Sequence, residues 1–303
     1  MLKDRMTAIV ATNVHYSKSD GFEPFKTLAF PRYTHSMLHN RYHHLSWHHG
    51  IELFEAAFST QTFVRHAHEG FAIGAISEGA GGYLCRGESM VLPAGSLSLM
   101  NPEEAHTGRA VAERVRYNML YVSEAAVCEV LELRDLRGFA EIAPQDRGLN
   151  LTRALDRLAG YLNGRDTDRR LVIEEAVHEV LAQAFRHYGR AELRQPGRER
   201  AAIVSLLDRI RAGVAQGEDL RLTDLALGVG LSPSYLIRST IRATGLTPHG
   251  HVVRARLNHA RCLLVDGTPA AEAATAAGFC DQAHLIRQFR RHFGVTPGRL
   301  IRH

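Results

Sequence analysis

The pattern Gly-x-Thr-Pro occurs twice near the C-terminus, as Gly245-Leu246-Thr247-Pro248 and as Gly294-Val295-Thr296-Pro297, offset by 49 residues. A further glycine precedes each copy at a similar distance, Gly230 before the first and Gly278 before the second. Two copies are too few for a solenoid, so the pattern predicts one supersecondary unit used twice. Each copy reads as helix, tight turn, helix. In the first, Thr223 is read as the N-cap of a helix carrying Leu222, Leu225, Ala226 and Val229 at helical spacing. Gly230 supplies a positive-φ break, Ser232 caps the next helix and Pro233 takes its first position. Leu236, Ile237 and Ile241 are expected to face inward there, leaving Ser234, Tyr235, Arg238 and Arg242 outside. In the second copy Thr268 is read as the cap, Pro269 as the start, and 270–277 as an alanine-rich helix that allows close approach. Asp281 then caps a helix with Leu285, Phe289 and Phe293 on its buried stripe and Gln282, Arg287, Arg290 and Arg291 on its outer face.

Thr247 and Pro248 open a long helix to about Val265, and an amphipathic stretch over 199–214 leads into the first unit. Helix-turn-helix units place their second helix in the major groove, and two of them on one side of a duplex need about 34 Å between reading helices. An 18-residue connector is roughly 27 Å long, which is of that order. Charge points the same way. Residues 199–303 hold fourteen arginines, no lysine and eight carboxylates, whereas the remainder is nearly balanced. Such asymmetry suits a polyanion. Arg pairs bidentately with guanine and Gln with adenine, and further arginines hold phosphates. The plainer alternative is a helical bundle with two similar hairpins and an Arg-rich solvated face.

The segment 222–300 resembles the DNA-binding domain of the AraC/XylS-type transcription regulators. The resemblance is carried by Leu231-Ser232-Pro233-Ser234-Tyr235-Leu236 with Arg238, by Gly245-Leu246-Thr247-Pro248, by Arg256-Leu257-Asn258-His259-Ala260-Arg261 with Leu263-Leu264, and by Gly278-Phe279 through Phe289-Arg290-Arg291-His292-Phe293-Gly294-Val295-Thr296-Pro297. It implies DNA contacts from Ser234, Ile237 and Arg238 in the first reading helix and from Gln282, Ala283, Ile286 and Arg287 in the second. Thr240 departs from the family by standing where an aromatic residue is usual. Ile237 and Ile286 are apolar where polar readers are common, which suits contact with thymine methyls. Arg238 and Arg287 are therefore the leading candidates for base recognition.

Residues 50–122 read as β-rich, with short runs over 51–58, 60–66, 71–76, 82–85, 89–92, 96–100 and 114–121 cut by glycines. Many short strands at near-regular spacing predict an antiparallel barrel or sandwich. His66-Ala67-His68, the stretch Gly87-x5-Pro93-Ala94-Gly95, and Asn101-Pro102 leading to His106 resemble the cupin-like sensor barrel attached to many AraC-type regulators. In cupin enzymes such histidines, with a glutamate, bind a metal. His66, His68 and His106 would supply three imidazoles suited to a divalent zinc, iron or nickel ion. The glutamate expected four or five residues after His68 is absent, since Ala72 and Ile73 stand there. Glu69 would point to the opposite face of a strand, and Glu103 and Glu104 are candidate substitutes. The alternative is that these histidines hydrogen-bond within the pocket or to a ligand. With Tyr83 and Tyr117 they form the candidate ligand-binding set.

The domains expected are an N-terminal extension over 1–49, the cupin-like barrel over 50–122, a helical region over 123–190, a linker over 191–198 and the double helix-turn-helix domain over 199–303. The extension carries His35, His39, His43, His44, His48 and His49, whose irregular spacing marks no metal site. Helices are expected over 124–133, 149–162 and 171–188. Family resemblance implies that they pair two subunits; covering the barrel is the alternative.

No run of eighteen apolar residues and no secretory leader is evident, and Cys85, Cys128, Cys262 and Cys280 form no CxxC pair. The reading is therefore a cytoplasmic, homodimeric transcription regulator, not an enzyme. Its expected partners are double-stranded DNA, a small-molecule effector and RNA polymerase, with no membrane. Two alternatives remain: a metal-dependent cupin enzyme with an accessory DNA domain, and a metal or redox sensor using the histidines or Cys85.

Overall fold

The computed structural model describes residues 40–300, apart from 49, 60–61, 165–167, 194 and 198, with the backbone alone at 299–300. His35, His39 and His49 lie outside the described residues. Seven strands form one antiparallel sheet: β1 (Arg41–His44), β2 (Ile51–Phe58), β3 (Thr62–His66), β4 (Phe71–Cys85), β5 (Glu88–Pro93), β6 (Leu97–Met100) and β7 (His106–Val122). Its order is β1-β2-β7-β4-β5, with β3 also on β7 and β6 also on β4. β1 lies within the stretch expected to be an extension, and Leu45 just beyond it is buried in the core.

The glycine-rich run expected to be two strands is one strand, β4, paired along its length with β7. The glycines bend the ladder instead of ending it. The register shifts near Ile76 and again between Gly79 and Gly81. Gly79 has φ +74°, and a Cβ there would lie 1.7 Å from the Arg114 carbonyl oxygen. Only glycine permits this approach, and such bulges coil a sheet around on itself.

Alternation along the strands gives the sheet two apolar faces. Ile51, Leu53, Phe71, Ile73, Leu120 and Val122 pack beneath α1 (Glu124–Leu131), α2 (Asn150–Asn163) and α3 (Arg169–His187). Phe58, Ile76, Tyr83, Met100, Val115 and Tyr117 line the other, concave side. Ser123 caps α1 by accepting from the Ala126 amide. α2 and α3 thus cover the sheet, and α3 is buried nearly all round, as a helix enclosed on every side must be.

The C-terminal region contains α4 (Arg200–Ala215), α5 (Leu222–Gly228), α6 (Pro233–Thr244), α7 (Pro248–Val265), α8 (Ala270–Ala276), α9 (Gln282–Phe293) and α10 (Pro297–Leu300). The two helix-turn-helix units are α5–α6 and α8–α9. Gly230 (φ +67°) and Gly278 (φ +81°) make the turns, and Gly245 and Gly294 end the second helices in the left-handed region. Two caps fall elsewhere than expected. Arg221, not Thr223, precedes α5, and Pro269, not Thr268, precedes α8, because each helix starts one residue from the expected hydroxyl or further. Ser232 occupies the N-cap position of α6 without a side-chain bond, whereas Asp281 caps α9 by accepting from the His284 amide at 2.6 Å. Thr240 is fully buried and its hydroxyl donates to the Leu236 carbonyl at 2.7 Å, which satisfies it without an aromatic partner.

Candidate effector pocket and DNA interface

The concave side of the sheet encloses a cavity of about 90 Å³ lined from six strands. His66, His68, Tyr83, His106 and Tyr117, the residues singled out from the sequence, all border it. So do Phe58, Phe63, Met119 and Tyr121, which were missed. The period-two alternation Val115, Tyr117, Met119, Tyr121 along β7 was the available signal. Tyr83 borders the cavity, but its hydroxyl donates to the Ile142 carbonyl at 2.8 Å and so holds the wall together. Burial raises Tyr83, Tyr117 and Tyr121 well above the usual phenol range, so all three are neutral.

His66 and His106 face each other across the β3–β7 ladder, and His68 follows on the loop after β3. One nitrogen from each ring lies within 4.8 Å of the others. His66 Nδ1 lies 2.7 Å from the Val64 carbonyl and His106 Nδ1 lies 2.8 Å from the Glu104 carbonyl. A carbonyl can only accept, so both rings carry their proton on Nδ1 and present the Nε2 lone pair. Burial, then His106 and His66, push His68 down to about 4, and burial also lowers His106. Uncharged imidazoles with oriented lone pairs are what a divalent cation requires.

The expected glutamate substitutes do not join this group. Glu104 turns its carboxylate onto Arg86 and onto the backbone and side-chain nitrogens of Asn101. Among the described residues the cluster contains the three histidines and no carboxylate. Cys85 is also a poor redox centre. It is 1% exposed, its Sγ lies 3.9 Å from Met100 Sδ, and burial raises its thiol away from the reactive thiolate.

In α9, Gln282, Ala283, Arg287, Arg290 and Arg291 are exposed and Ile286 is half-buried, as an outward reading face requires. In α6 the corresponding face is covered. Ser234 (2% exposed), Tyr235 (4%) and Ile237 (3%) are buried, while Ile241, expected inside, is exposed. The cover is α3, together with the linker. The Ser234 hydroxyl lies 2.9 Å from His178 Nε2, and Arg238 donates to Ser234 Oγ and reaches His178 Nε2 at 3.4 Å. Tyr235 donates to Glu199 at 2.9 Å and accepts from the Gly197 amide at 2.7 Å, and Arg242 donates to the Pro196 carbonyl. Every first-unit residue chosen for DNA is thus engaged within the protein or out of solvent.

Two further contacts bind α3 to α7. Asp168, just before α3, is 2% exposed and takes Arg256 Nη2 at 2.6 Å. Arg256 also donates to the Gly278 carbonyl, the turn of the second unit. Glu175 accepts the His249 amide at 2.6 Å, and burial raises its carboxyl to about 7. Leu171 of α3 packs in the same core as Leu206 of α4, Leu225 and Leu236 of the first helix-turn-helix unit, and Val252 of α7.

Residues 48–181 match the AraC-like ligand binding domain, and residues 225–303 match a helix-turn-helix domain. The chain is an AraC-type transcription regulator. This AraC-type regulator is 28% identical over 244 residues to the HTH-type transcriptional regulator YbfI of Bacillus subtilis, covering 78% of this chain and 86% of that one. It is 26% identical over 253 residues to the HTH-type transcriptional activator RhaS of Pectobacterium atrosepticum, covering 80% and 88% respectively. Among solved structures, unsaturated fatty acid-bound ToxT of Vibrio cholerae aligns over 88% of this chain and 97% of that one at 12% identity, with a TM-score of 0.35. The AraC-type regulator thus joins a DNA-binding helix-turn-helix domain to an N-terminal ligand-binding domain. No helix among its described residues is long and apolar enough to cross a membrane.

Proposed function

We propose that this regulator reads its operator through both units, with Ser234, Tyr235, Ile237, Arg238 and Arg242 on α6 and Gln282, Ala283, Ile286, Arg287, Arg290 and Arg291 on α9. The conformation described is a closed one, in which α9 is ready and α6 is held against the sensor domain. The observation that carries this reading is the burial of Ser234 with Arg238 against His178. A small-molecule effector enters the barrel and favours the open arrangement, which it does only through a higher affinity for that arrangement. A cavity of about 90 Å³ suits a ligand of few atoms, or one that widens the pocket as it binds. We take the regulator to be a cytoplasmic homodimeric activator that contacts RNA polymerase; the activator assignment follows its likeness to RhaS. It performs no catalysis in this reading.

The test begins with genome-wide mapping of bound sites, followed by anisotropy titrations of the recovered operator against random duplex over a range of salt. Specific binding that weakens on Arg238→Ala in the effector-loaded protein supports the reading. Equal affinity for both duplexes at every salt removes it.

A second reading rests on the His66, His68 and His106 triangle. His66, His68 and His106 would hold a divalent transition metal, which would supply a Lewis-acid centre for an effector oxygen or nitrogen. The carbonyl-fixed tautomers of His66 and His106 favour it.

A further inference from the structure

We propose that a cavity inside the DNA-binding domain, between α4 and α7, binds a small amphipathic carboxylate. The cavity has a volume of about 450 Å³, several times that of the barrel pocket and within the usual range for ligand sites. Its apolar lining includes Leu207, Ile210 and Val214 of α4 and Ala255 of α7. Arg211 of α4 and His251, Arg254, Asn258 and His259 of α7 also line it. Among the described residues Arg254 has no ion-pair partner, while Arg211 shares its charge with Asp208 at 2.6 Å.

His251 gives the second, independent sign of a ligand. It is 2% exposed and borders the cavity, yet its Nδ1 is buried without a hydrogen-bond partner. Its Nε2 lies 2.8 Å from Thr244 Oγ1, and that hydroxyl also lies 2.8 Å from the Thr240 carbonyl. The hydroxyl has one proton. Donated to the carbonyl, it leaves the oxygen to accept Nε2–H, and the Nδ1 lone pair is orphaned. An unmade hydrogen bond on a buried group is costly, and a ligand that satisfies it is favoured. Burial, then Arg254 and Arg211, hold His251 at about 4. A carboxylate bound by Arg254 offsets charge that opposes protonation. His251 then takes a proton from solvent onto Nδ1 and keeps it, the imidazolium N–H hydrogen-bonding to the carboxylate oxygen, while the hydrocarbon body covers the apolar residues.

This site is separate from the barrel and does not rest on the effector reading above. Its link to DNA is direct, because Thr244 belongs to the last turn of α6.

The test is calorimetric titration of the full chain with straight-chain carboxylates from butanoate to octanoate, with hexanamide as the neutral counterpart of hexanoate. We expect one saturable site per chain, about tenfold weaker for the amide and about tenfold weaker for hexanoate in Arg254→Gln. His68→Ala in the barrel should leave it unchanged. Repeating the titration at pH 6 in buffers of different ionisation enthalpy should show proton uptake on binding. Four outcomes overturn the inference: no carboxylate saturates below about 10 mM, which is under roughly 3 kcal/mol of binding; the amide binds as well as the acid; binding survives Arg254→Gln but fails in His68→Ala; or no proton is taken up.

Discussion

The hydroxyl of Ser234, on the second helix of the first helix-turn-helix unit, lies 2.9 Å from Nε2 of His178, a buried residue of the sensor domain 56 positions earlier. Burial and the nearby Arg238 hold His178 at about 4, so its ring is neutral at physiological pH and accepts the Ser234 proton. A residue cannot face this histidine and a base edge together, so under the proposed function the contact is regulatory.

Releasing the contact should therefore raise DNA affinity without effector. Asp168→Ala removes the carboxylate from the buried Arg256 ion pair, and breaking such a pair typically costs about 3–5 kcal/mol, here to the closed arrangement. His178→Ala removes roughly 1 kcal/mol of hydrogen bonding. In operator titrations by anisotropy we expect at least a tenfold tighter apparent Kd for Asp168→Ala and a smaller gain for His178→Ala. Unchanged affinity in both variants, with folding intact by circular dichroism, would show that α6 is not restrained by α3.

The exposed α9 face allows base reading to be separated from phosphate holding. Arg287→Ala should cost about 1–3 kcal/mol and relax specificity at one base pair. Arg290→Ala should weaken all duplexes alike and reduce the salt slope by about 1. If Arg287→Ala also lowered operator and random DNA equally, it would be a backbone contact.

The closed arrangement should loosen on acidification. His178 and His249, both depressed to about 4 chiefly by burial, favour the closed state fully above pH 6.5, and that contribution is lost as pH falls toward 4. Glu175, raised to about 7, acts oppositely, favouring the closed state at low pH and ceasing to do so as pH rises through 7. Between pH 6.5 and 5 two histidine protons oppose one carboxyl proton, so the net change is of the order of 1 kcal/mol per pH unit toward opening. Energy transfer between dyes on the sensor and DNA-binding domains should fall over this range, and His178→Gln should flatten the change. A signal that rises on acidification contradicts the assignment.

The histidine triangle predicts a metal response. Zinc or nickel should raise the Tm of the full chain, a chelator should reverse the shift, and His106→Ala should abolish it. A metal at a thousandfold its Kd stabilises by about 4 kcal/mol. A Tm indifferent to metal, alike in the parent and in His106→Ala, assigns the histidines to hydrogen bonding alone.

What the sequence determined was local. The offset Gly-x-Thr-Pro pattern, the positive-φ glycines at 230 and 278 and the stripe Leu285, Phe289, Phe293 made both helix-turn-helix units legible, because turns and amphipathic helices are governed by residues a few positions apart. The histidine pair His66–His68 and the β character of 51–122 were legible for the same reason. The continuity of β4 through its glycines was not, since only pairing with β7 shows that they bend a strand without ending it. Nor was the fate of Ser234, Tyr235 and Arg238. Their helical phase makes them outward-facing in an isolated unit, and they are covered because α3, more than fifty residues away in the chain, presents His178, and the linker presents Gly197. Burial depends on what the rest of the chain brings alongside, and that is a property of tertiary packing which periodicity does not encode.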